Sequence, residues 1–547
     1  MRNHRLRQQS THIRHTSLRK FGLGRHAVSL ASAPRRSELK SWTIAGLICL
    51  LLGVSEVAAD ETPDRVEQRP NILFCIADDW GWPHAGAYGA GDWVKTPTFD
   101  RLAKEGVLFE NAFTSNPKCC PSRASMVAGR NTWQMKEAVN HIVPWPSEFV
   151  SYVDLLEQAG YHVGMTGKGW GPGTWKDSGR TTNPAGPSYD QFKLDPPYRG
   201  ISNNDYARNF TEGFLAARPS DETPFCFWLG AKEPHRGYEE GAGLRTGKDP
   251  RSVDLPAFYP EEKVIREDML DYAIEVEWFD SHVGRCLDYL EQIGELDNTI
   301  VVMTSDHGMP FPRVKGQIYE HAFHLPLAIR WGDVSGGGRS VKDFVNVRDF
   351  APTFLEAAGV KPHAQFTGSS LVSLLKSNRS GWIEPETRNV MLVGKERHDL
   401  GRPNDWGYPV RAIRTADYLY VHNYEPDRWP AGNPETVYRN CDGGPTKSKL
   451  LNSFDKWYAF SFGKRPEHEL YRISVDTDCV HNLIDQPGYE TITRQLRERM
   501  EVMLREEGDL RALGTPEWFD AIPYTASRKH AYETWLNYQR VQPEVKP

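Results

Sequence analysis

The chain has 547 residues, of which 39% are hydrophobic and 25% charged, an ordinary globular composition that excludes a disordered chain and favours one large domain with a smaller one. Without the leader predicted below, 56 basic and 70 acidic residues remain, a net charge of −14. Such an acidic chain is not expected to bind nucleic acid in general, so an anionic substrate must be met by a local basic pocket.

The amino-terminal segment is typical of an export signal. A basic leader precedes the apolar run at residues 43–54, and Val57-Ala58-Ala59 follows as a small-residue cleavage site. The long leader leaves three alternatives: a twin-arginine-like signal, a misplaced start codon and an uncleaved anchor. We expect residues 1–59 to be removed and the mature protein to be periplasmic or secreted, or lysosomal if the host is eukaryotic. No second run of about 18 apolar residues follows, so no stable membrane span is expected.

Strand and helix patterns alternate through the first part of the mature chain. Strands are predicted at residues 71–77, 161–166, 225–231 and 299–305, and helices at 99–106, up to 128, 152–159 and 268–293. This alternation predicts an α/β domain over residues 60–380, with a mostly parallel sheet flanked by helices. Shorter segments at 389–393 and 412–423 and a charged helix at 491–507 predict a smaller α+β domain over residues 381–547, which contributes to the substrate pocket.

Seven cysteines remain once the leader is removed, in a compartment expected to be oxidising. Because seven is odd, at least one stays unpaired, and Cys119 is the natural candidate for special chemistry. Cys441 and Cys479 could form a disulfide, although their spacing does not fix the pairing.

Carboxylates follow two of the predicted strands at the point where each strand ends. Asp78 and Asp79 come directly after the first strand, and Asp306 follows the strand at 299–305. Alone, adjacent aspartates in this position are more often turn formers or helix caps. Because parallel strands bring their carboxyl ends to one sheet edge, the two groups together predict a site for a hard divalent cation.

The most specific string is Cys119-Cys120-Pro121-Ser122-Arg123, which continues to Gly129-Arg130. Pro121 can begin a helix, which would place Cys119 at an N-terminus whose free N–H groups favour an anion, with Arg123 one turn away. The alternative is a structural Cys-Cys pair in a turn. The string resembles the C-x-P-S-R-x-x-x-x-x-G-R signature of the formylglycine-dependent sulfatase family.

This resemblance implies that Cys119 is oxidised to formylglycine (3-oxoalanine) by a formylglycine-generating or anaerobic maturating enzyme. The hydrated aldehyde would attack sulfur, and its second hydroxyl would let sulfate leave by C–O cleavage. The family fold implies an alkaline-phosphatase-like α/β domain with a smaller carboxy-terminal sheet domain.

The resemblance also implies that Asp78, Asp79, Asp306 and His307 bind one divalent metal together with the modified Cys119. Ca²⁺ is expected, with Mg²⁺ as the alternative. His307 replaces the commoner asparagine, and its nitrogen suits calcium less well than oxygen. His307 could instead contact sulfate, or it could be a buried histidine whose ring is hydrogen-bonded to backbone groups.

Three lysines complete the pocket that the resemblance implies. Lys168 lies in an element similar to G-K-x-H, with Trp170 in the histidine position, and Lys315 begins a K-x-x-x-Y-E element. Lys232 and His235 lie in an element similar to H-x-P-H, with the lysine in place of its first histidine. A lone lysine is normally just solvated, but all three follow motif strands. We expect them to stabilise charge on sulfate, with Lys232 or His235 as the acid for the leaving atom.

The resemblance extends from residue 71 to about residue 482. Within the family, Pro234-His235-Arg236, the string from Ser305 to Pro312 and Tyr408-Pro409-Val410-Arg411 are most similar to heparan N-sulfatases (N-sulfoglucosamine sulfohydrolases) and their bacterial relatives. This implies a sulfated saccharide substrate of the heparan type. The sequence does not distinguish an N-sulfate from an O-sulfate as the hydrolysed group, and it does not indicate the oligomeric state.

The segment 394–411 concentrates basic residues in an otherwise acidic protein. Arg397, His398 and Arg411 could read carboxylates or further sulfates on a glycan through bidentate contacts. An alternative that we weigh equally is that these residues form salt bridges at the domain interface.

Two competing functions remain from the sequence. A phosphodiesterase or phosphonate hydrolase of the same superfold is the first, and it would call for a second metal cluster. A catalytically silent glycan-binding protein is the second, and it would follow if Cys119 stays a thiol.

Overall fold

The computed structural model describes residues 69–453, 455–526 and 529–541, which belong to one compact unit. The predicted export signal at residues 1–59 lies outside the described residues. The strands, in chain order, are β1 (Asn71–Ala77), β2 (Val107–Phe109), β3 (Ala112–Phe113), β4 (His162–Gly167), β5 (Phe225–Gly230), β6 (Thr299–Ser305), β7 (His324–Leu325), β8 (Leu327–Trp331), β9 (Arg339–Val341), β10 (Val345–Asn346), β11 (Val390–Lys395), β12 (Val410–Thr415), β13 (Tyr418–Asn423) and β14 (His468–Arg472).

Helices connect these strands and cover them. In chain order they are α1 (Pro97–Glu105), α2 (Cys119–Ala128), α3 (Tyr152–Gln158), α4 (Tyr206–Arg208), α5 (Ala242–Arg245), α6 (Lys263–Gln292), α7 (Glu320–Phe323), α8 (Gly332–Ser335), α9 (Phe350–Ala357), α10 (Val372–Lys376), α11 (Pro445–Leu451), α12 (Lys456–Phe462), α13 (Glu490–Glu506), α14 (Glu517–Asp520) and α15 (Ala531–Val541). Within these residues, no helix is both long and apolar enough to cross a bilayer.

A seven-stranded sheet forms the centre, in the order β4-β5-β1-β6-β8-β2-β9. Only β8 runs against the others, because it pairs antiparallel with both β6 and β2. The prediction of a mostly parallel α/β sheet is therefore confirmed. Every residue of β1, β5 and β6 is buried, as expected for strands covered by helices on both faces.

Alternate residues of β1 pack into different cores on the two faces of the sheet. Phe74 belongs to the core with residues of α2, α3 and α9, and its ring meets those of Trp228, Phe350 and Phe354 at 5.0–5.3 Å. Leu73 faces the opposite core, which includes much of the long helix α6. This double burial explains why the strand reads as one continuous apolar run.

A four-stranded antiparallel sheet, β11-β12-β13-β14, follows in the carboxy-terminal part. Leu496, Met500 and Leu504 of α13 pack on it beside Ile413 and Tyr420. The predicted segment at 412–423 is a hairpin of two strands, because a turn between β12 and β13 reverses the chain. The predicted smaller α+β part is confirmed as a fold, and the boundary between residues 380 and 381 stays a prediction.

The suggested disulfide between Cys441 and Cys479 does not form. All seven cysteines of the described chain are free. Cys479 is buried in the core beside the carboxy-terminal sheet, whereas Cys441 lines a cavity at the end of the central sheet, so the two thiols lie in different surroundings.

Candidate active site

The pairing of β1 with β6 brings the predicted carboxylates together. The two strands are parallel neighbours, with Ala77 opposite Ser305 at their ends. Asp78, Asp79 and Asp306 follow, all of them buried. The Asp79 backbone, which adopts a left-handed conformation (φ 78°), donates its N–H to Asp306 Oδ1 at 3.1 Å. The predicted convergence of the two strand ends is confirmed.

Helix α2 presents Cys119 to this group of carboxylates. The helix begins at Cys119, with Lys118 at the N-cap position, as the position of Pro121 predicted. Cys119 Sγ lies 3.4 Å from Asp78 Oδ1 and 3.2 Å from His307 Nε2. The thiol position therefore combines three features: a helix N-terminus, a carboxylate pair and an imidazole.

Arg123 lies one turn further along α2 and fixes the helix to the second strand end. Its Nε donates to Asp306 Oδ2 at 2.8 Å, and its Nη1 donates to the carbonyl of Lys168 at 2.6 Å. Its buried Nη2 has no hydrogen-bond acceptor among the described side chains and backbone groups, and it lies 3.9 Å from Asp78 Oδ1. Arg123 thus keeps the NH2 group at Nη2 available inside the site.

His307 stands beside the carboxylates with one nitrogen free for ligation. Its Nδ1 lies 3.0 Å from the carbonyl oxygen of Gly308, which requires a hydrogen on Nδ1. Its Nε2 is 3.1 Å from Asp79 Oδ1 and 3.6 Å from Asp306 Oδ1. The residue at 308 is glycine because a side chain there would collide with the carbonyl oxygen of His321.

These side chains can hold one divalent cation. Ligand atoms of Asp78, Cys119, Asp306 and His307 all lie within 4.8 Å of one another, and Asp79 Oδ1 accepts no hydrogen bond from any residue that the structure describes. Carboxylate oxygens suit a hard cation, and an oxygen on an oxidised Cys119 would add another such donor. The donor set therefore fits the metal that the sequence predicted.

The pKa values of the site residues also agree with a cation site. Burial lowers the pKa of a histidine, but Asp306 and then Asp79 outweigh it and raise the pKa of His307 to about 9. Burial raises the pKa of Asp306 to about 6. Burial would also raise the pKa of Asp78, but Lys168 and further cations hold it well below its usual range. The raised pKa of His307 reflects the negative charge of the two aspartates beside it, and that charge would also attract a divalent cation.

Two of the predicted lysines form ion pairs with the aspartates. Lys168 Nζ lies 2.5 Å from Asp78 Oδ2, and Lys315 Nζ lies 2.7 Å from Asp79 Oδ2. Lys168 follows Gly167, whose φ of 72° turns the chain at the end of β4. Trp170, in the position where the family motif has histidine, is buried, packs edge to face on Trp145 and is not among the residues that line the cavity around Cys119.

Lys232 and His235 follow β5 and line the same cavity as Cys119. Lys232 is exposed, whereas His235 is partly buried and its Nδ1 lies 2.7 Å from the carbonyl oxygen of Arg236. That contact places a hydrogen on Nδ1 and leaves Nε2 for other partners. The structure thus brings all six predicted catalytic residues and all predicted metal ligands to one end of the sheet.

The cavity encloses about 970 Å³ and contains polar residues that the sequence did not single out. Lys118 Nζ pairs with Asp399 Oδ2 at 2.8 Å, and His141 Nδ1 lies 2.9 Å from Asp399 Oδ1. Asp442 Oδ2 lies 2.9 Å from Lys315 Nζ. Only Lys118, directly before the Cys119 motif, carried a signal in the sequence, since the others lie in loops without a motif.

The predicted substrate-reading residues at 394–411 do not line the cavity. Arg411 is fully buried and binds Asp509 through two hydrogen bonds of 2.8 and 3.0 Å, with Glu396 at 2.8 Å. Arg411 therefore forms salt bridges within the protein, which was the alternative to a role in binding substrate.

The other two basic residues of that segment are also buried, and their side chains contact protein groups. Arg397 Nη1 donates to the Ile522 carbonyl at 2.9 Å, and His398 Nε2 lies 2.7 Å from Asn116 Oδ1. All three predicted substrate-reading residues therefore hold protein segments together.

The mostly parallel sheet, the helix carrying Cys119 and the carboxylates at two strand ends define an alkaline-phosphatase-like hydrolase. The sequence profile of the Sulfatase family matches residues 70–360, more than half of the chain, and the chain belongs to that family. A second profile, N-sulphoglucosamine sulphohydrolase, C-terminal, matches residues 311–430.

Individual relatives agree with this assignment. N-sulphoglucosamine sulphohydrolase from Homo sapiens is 28% identical over 480 residues, covering 79% of this chain and 89% of that protein. An ulvan-active sulfatase from Formosa agariphila is 26% identical over 458 residues, which cover 82% of this chain and 83% of that protein. A solved structure of a protein with its substrate D-glucosamine-2-N,6-O-disulfate shares the fold, with a TM-score of 0.59 and 22% identity, covering 81% of this chain and 98% of that one.

Replacing Arg411 by alanine tests its structural role. We expect Arg411→Ala to lower the free energy of unfolding by about 3–5 kcal/mol, because Asp509 and Glu396 would stay buried without their partner. Urea unfolding measures the change, with Arg472→Ala at an exposed position as the control. Unchanged stability together with a raised KM would instead support substrate reading by Arg411.

Proposed function

We propose that this chain hydrolyses sulfate esters or sulfamates on a sulfated saccharide, using a nucleophile formed by oxidation of Cys119. The observation that carries this proposal is the meeting of Cys119, at the start of α2, with Asp78, Asp306 and His307 in one cavity. A structural Cys-Cys turn would not need three buried aspartates at the ends of two adjacent strands.

Oxidation of Cys119 to formylglycine would supply a hydrated aldehyde, with one hydroxyl as the nucleophile toward sulfur and a second that allows release of sulfate without another attack at sulfur. The protein's part is to orient that group. Asp78 and His307 contact the position of Sγ, and Arg123 is fixed one turn along the same helix. A formylglycine-generating or anaerobic maturating enzyme is the partner that this chemistry requires.

Asp78, Asp79, Asp306 and His307 would hold one divalent metal, together with an oxygen of the oxidised residue 119. Three carboxylates favour Ca²⁺, with Mg²⁺ as the alternative, and the nitrogen of His307 is the one donor that departs from an all-oxygen set. When bound, the metal supplies positive charge toward the sulfuryl oxygens. The described residues also bring ligand atoms of Asp79, His235 and Asp442 together, but Lys315 Nζ pairs with both of these carboxylates, at 2.7 and 2.9 Å. Because a cation already lies between those two acids, and because the Cys119 motif is intact, we favour a one-metal sulfatase over a two-metal phosphatase.

The cationic residues around Cys119 would bind the sulfate group itself. Lys168 and Lys315 are held by Asp78 and Asp79, so their ammonium groups need little reorganisation when an anion binds. Lys232 is exposed at the cavity wall and makes no ion pair in the described structure, so its charge is available to the substrate.

We assign His235 as the acid that protonates the leaving oxygen or nitrogen, with Lys232 as the alternative donor. Its Nδ1–H is fixed by the Arg236 carbonyl, which leaves Nε2 to hold and deliver a proton. A carboxylate oxygen of Asp442 lies within 4.8 Å of a ring nitrogen of His235.

The relatives support a proposal for the substrate class. The match to N-sulphoglucosamine sulphohydrolase from Homo sapiens and to its carboxy-terminal profile favours a heparan-type N-sulfoglucosamine. We further propose that the mature chain acts after export, in the periplasm or outside the cell, as the predicted signal requires.

Oxidation of Cys119 can be detected directly by mass spectrometry. The peptide that contains residue 119, taken from the protein made in its native host, is expected to carry an aldehyde, and Cys119→Ala is expected to abolish turnover because no nucleophile remains. Cys120→Ala, which removes a buried thiol of the neighbouring core, serves as the control and should keep the aldehyde. A wholly unmodified thiol at 119 in an active protein would contradict the mechanism.

Metal content tests the cation site independently of activity. Asp306→Asn is expected to weaken metal affinity by about 100-fold or more, because it removes a carboxylate from the ligand set and from Arg123. Elemental analysis of the purified protein measures the loss. Asp297→Asn is a matched control, since Asp297 lies just before the opposite end of β6 and is exposed. Equal metal content in both variants would remove Asp306 from the site.

A panel of defined saccharides tests the substrate. We expect release of sulfate from N-sulfoglucosamine, measured by ion chromatography, because the family match favours this sugar. Glucosamine 6-O-sulfate serves as the comparison. Turnover of the O-sulfate alone would overturn the subgroup assignment but not the sulfatase assignment, whereas turnover of a phosphonate ester alone would favour the competing hydrolase.

A further inference from the structure

The carboxy-terminal part of the chain builds a wall of the cavity that the chemistry at Cys119 does not use. Two separate segments contribute to it, the loop 438–443 and the residues Tyr524 and Ala526. The cavity volume of about 970 Å³ is at the upper end of ligand sites and far exceeds the space that one sulfate group needs. This wall can therefore face the rest of the substrate.

Hydrogen bonds to neighbouring segments hold the loop 438–443 in place. Lys447 Nζ donates to the carbonyls of Tyr438 at 3.1 Å and of Cys441 at 2.7 Å, so one ammonium group anchors both ends of the turn. The Asn440 side chain donates to the Asp399 carbonyl at 2.7 Å, and Asp442 contacts Lys315 in the catalytic group. The backbone that carries Arg439 is thus fixed relative to the catalytic residues.

Arg439 differs from most of the other basic residues of this cavity and shares its lack of an ion pair with Lys232, which the proposed function places at the hydrolysed group. Lys118, Lys168 and Lys315 each pair with an aspartate, and Arg236 binds Asp268 through two hydrogen bonds. Arg439 is exposed at the edge of the cavity and makes no ion pair or side-chain hydrogen bond within the described part of the chain. Its guanidinium is therefore free to accept an anion without giving up an existing partner.

Tyr524 stands near Arg439 on the same wall, and the segment around it is anchored. Thr525 binds the Ile142 carbonyl through its N–H at 3.0 Å and its hydroxyl at 3.1 Å. The guanidinium of Arg397 lies 5.6 Å from the Tyr524 ring centre. Arg397, which the sequence suggested as a substrate reader, thus supports an aromatic side chain that can pack on a sugar.

We propose that Arg439, with Tyr524 beside it, forms an outer subsite for a second anionic group of the saccharide, beyond the sulfate that is hydrolysed. The group is a carboxylate or a further sulfate, since both present two oxygens in a plane that a guanidinium can bind in a bidentate manner. The subsite rests on the proposed function, in that it places the hydrolysed sulfate at Cys119. In a chain as acidic as this one, an unpaired arginine at the cavity edge also attracts a polyanion locally.

Binding to a turnover-deficient protein tests the subsite. Three ligands are compared by calorimetry in a Cys119→Ala background: N-sulfoglucosamine, glucosamine 2-N,6-O-disulfate, and a disaccharide of N-sulfoglucosamine linked to glucuronate. Arg439→Gln is expected to weaken binding by about tenfold for whichever ligand places its second anion in the subsite, and by less than about twofold for N-sulfoglucosamine. The disulfate and glucuronate arms distinguish a sulfate from a carboxylate.

Arg472→Gln is the matched control, because Arg472 is exposed, lies at the end of β14 and is not part of the cavity lining. It should leave all three affinities unchanged. Equal losses on all three ligands in Arg439→Gln, no loss on either doubly anionic ligand, or no binding of any ligand to the background protein would each overturn the subsite. Absence of turnover in the wild-type protein would instead count against the proposed function, since the binding measurement does not depend on catalysis.

Discussion

The parallel pairing of β1 with β6 is the constraint on which the site depends. Its register sets Ala77 opposite Ser305, and the next residue on each strand is an aspartate. Because both strands are covered on both faces, a shift by one residue would turn their apolar side chains toward the wrong cores and separate the two carboxylates. Core packing thus fixes the positions of groups that take no part in the core.

Around this pair, charge balance determines which residues can be present. Three buried aspartates would repel one another, and the structure offsets them with Arg123, Lys168, Lys315 and His307. Each cation comes from a different segment of the chain. The same groups that stabilise the buried acids are the ones proposed to bind the sulfate group, and because they are already held in place, binding would require little reorganisation.

The sequence predicted the fold and the chemical centre well because both depend on local patterns. Continuous apolar runs indicated β1 and β6 with their bounds, and the string around Cys119 predicted that a helix starts there. Residues such as Asp399 and Arg439 could not be found in this way, because they lie in loops whose positions depend on long-range packing. For the same reason a run of basic residues did not reveal that Arg411 is buried against Asp509.

Lys315 connects the two parts of the active site, since its ammonium group contacts Asp79 on one side and Asp442 on the other. The residues to which we assign hydrolysis lie before residue 320, whereas the opposite wall of the cavity comes from loops beyond residue 398. Apart from Asp399 and Asp442, which pair with Lys118 and Lys315, those loops can change in length and composition without altering the strand ends or the helix that carries Cys119. One reaction centre can accordingly be adapted to different saccharides by exchanging the wall that faces it.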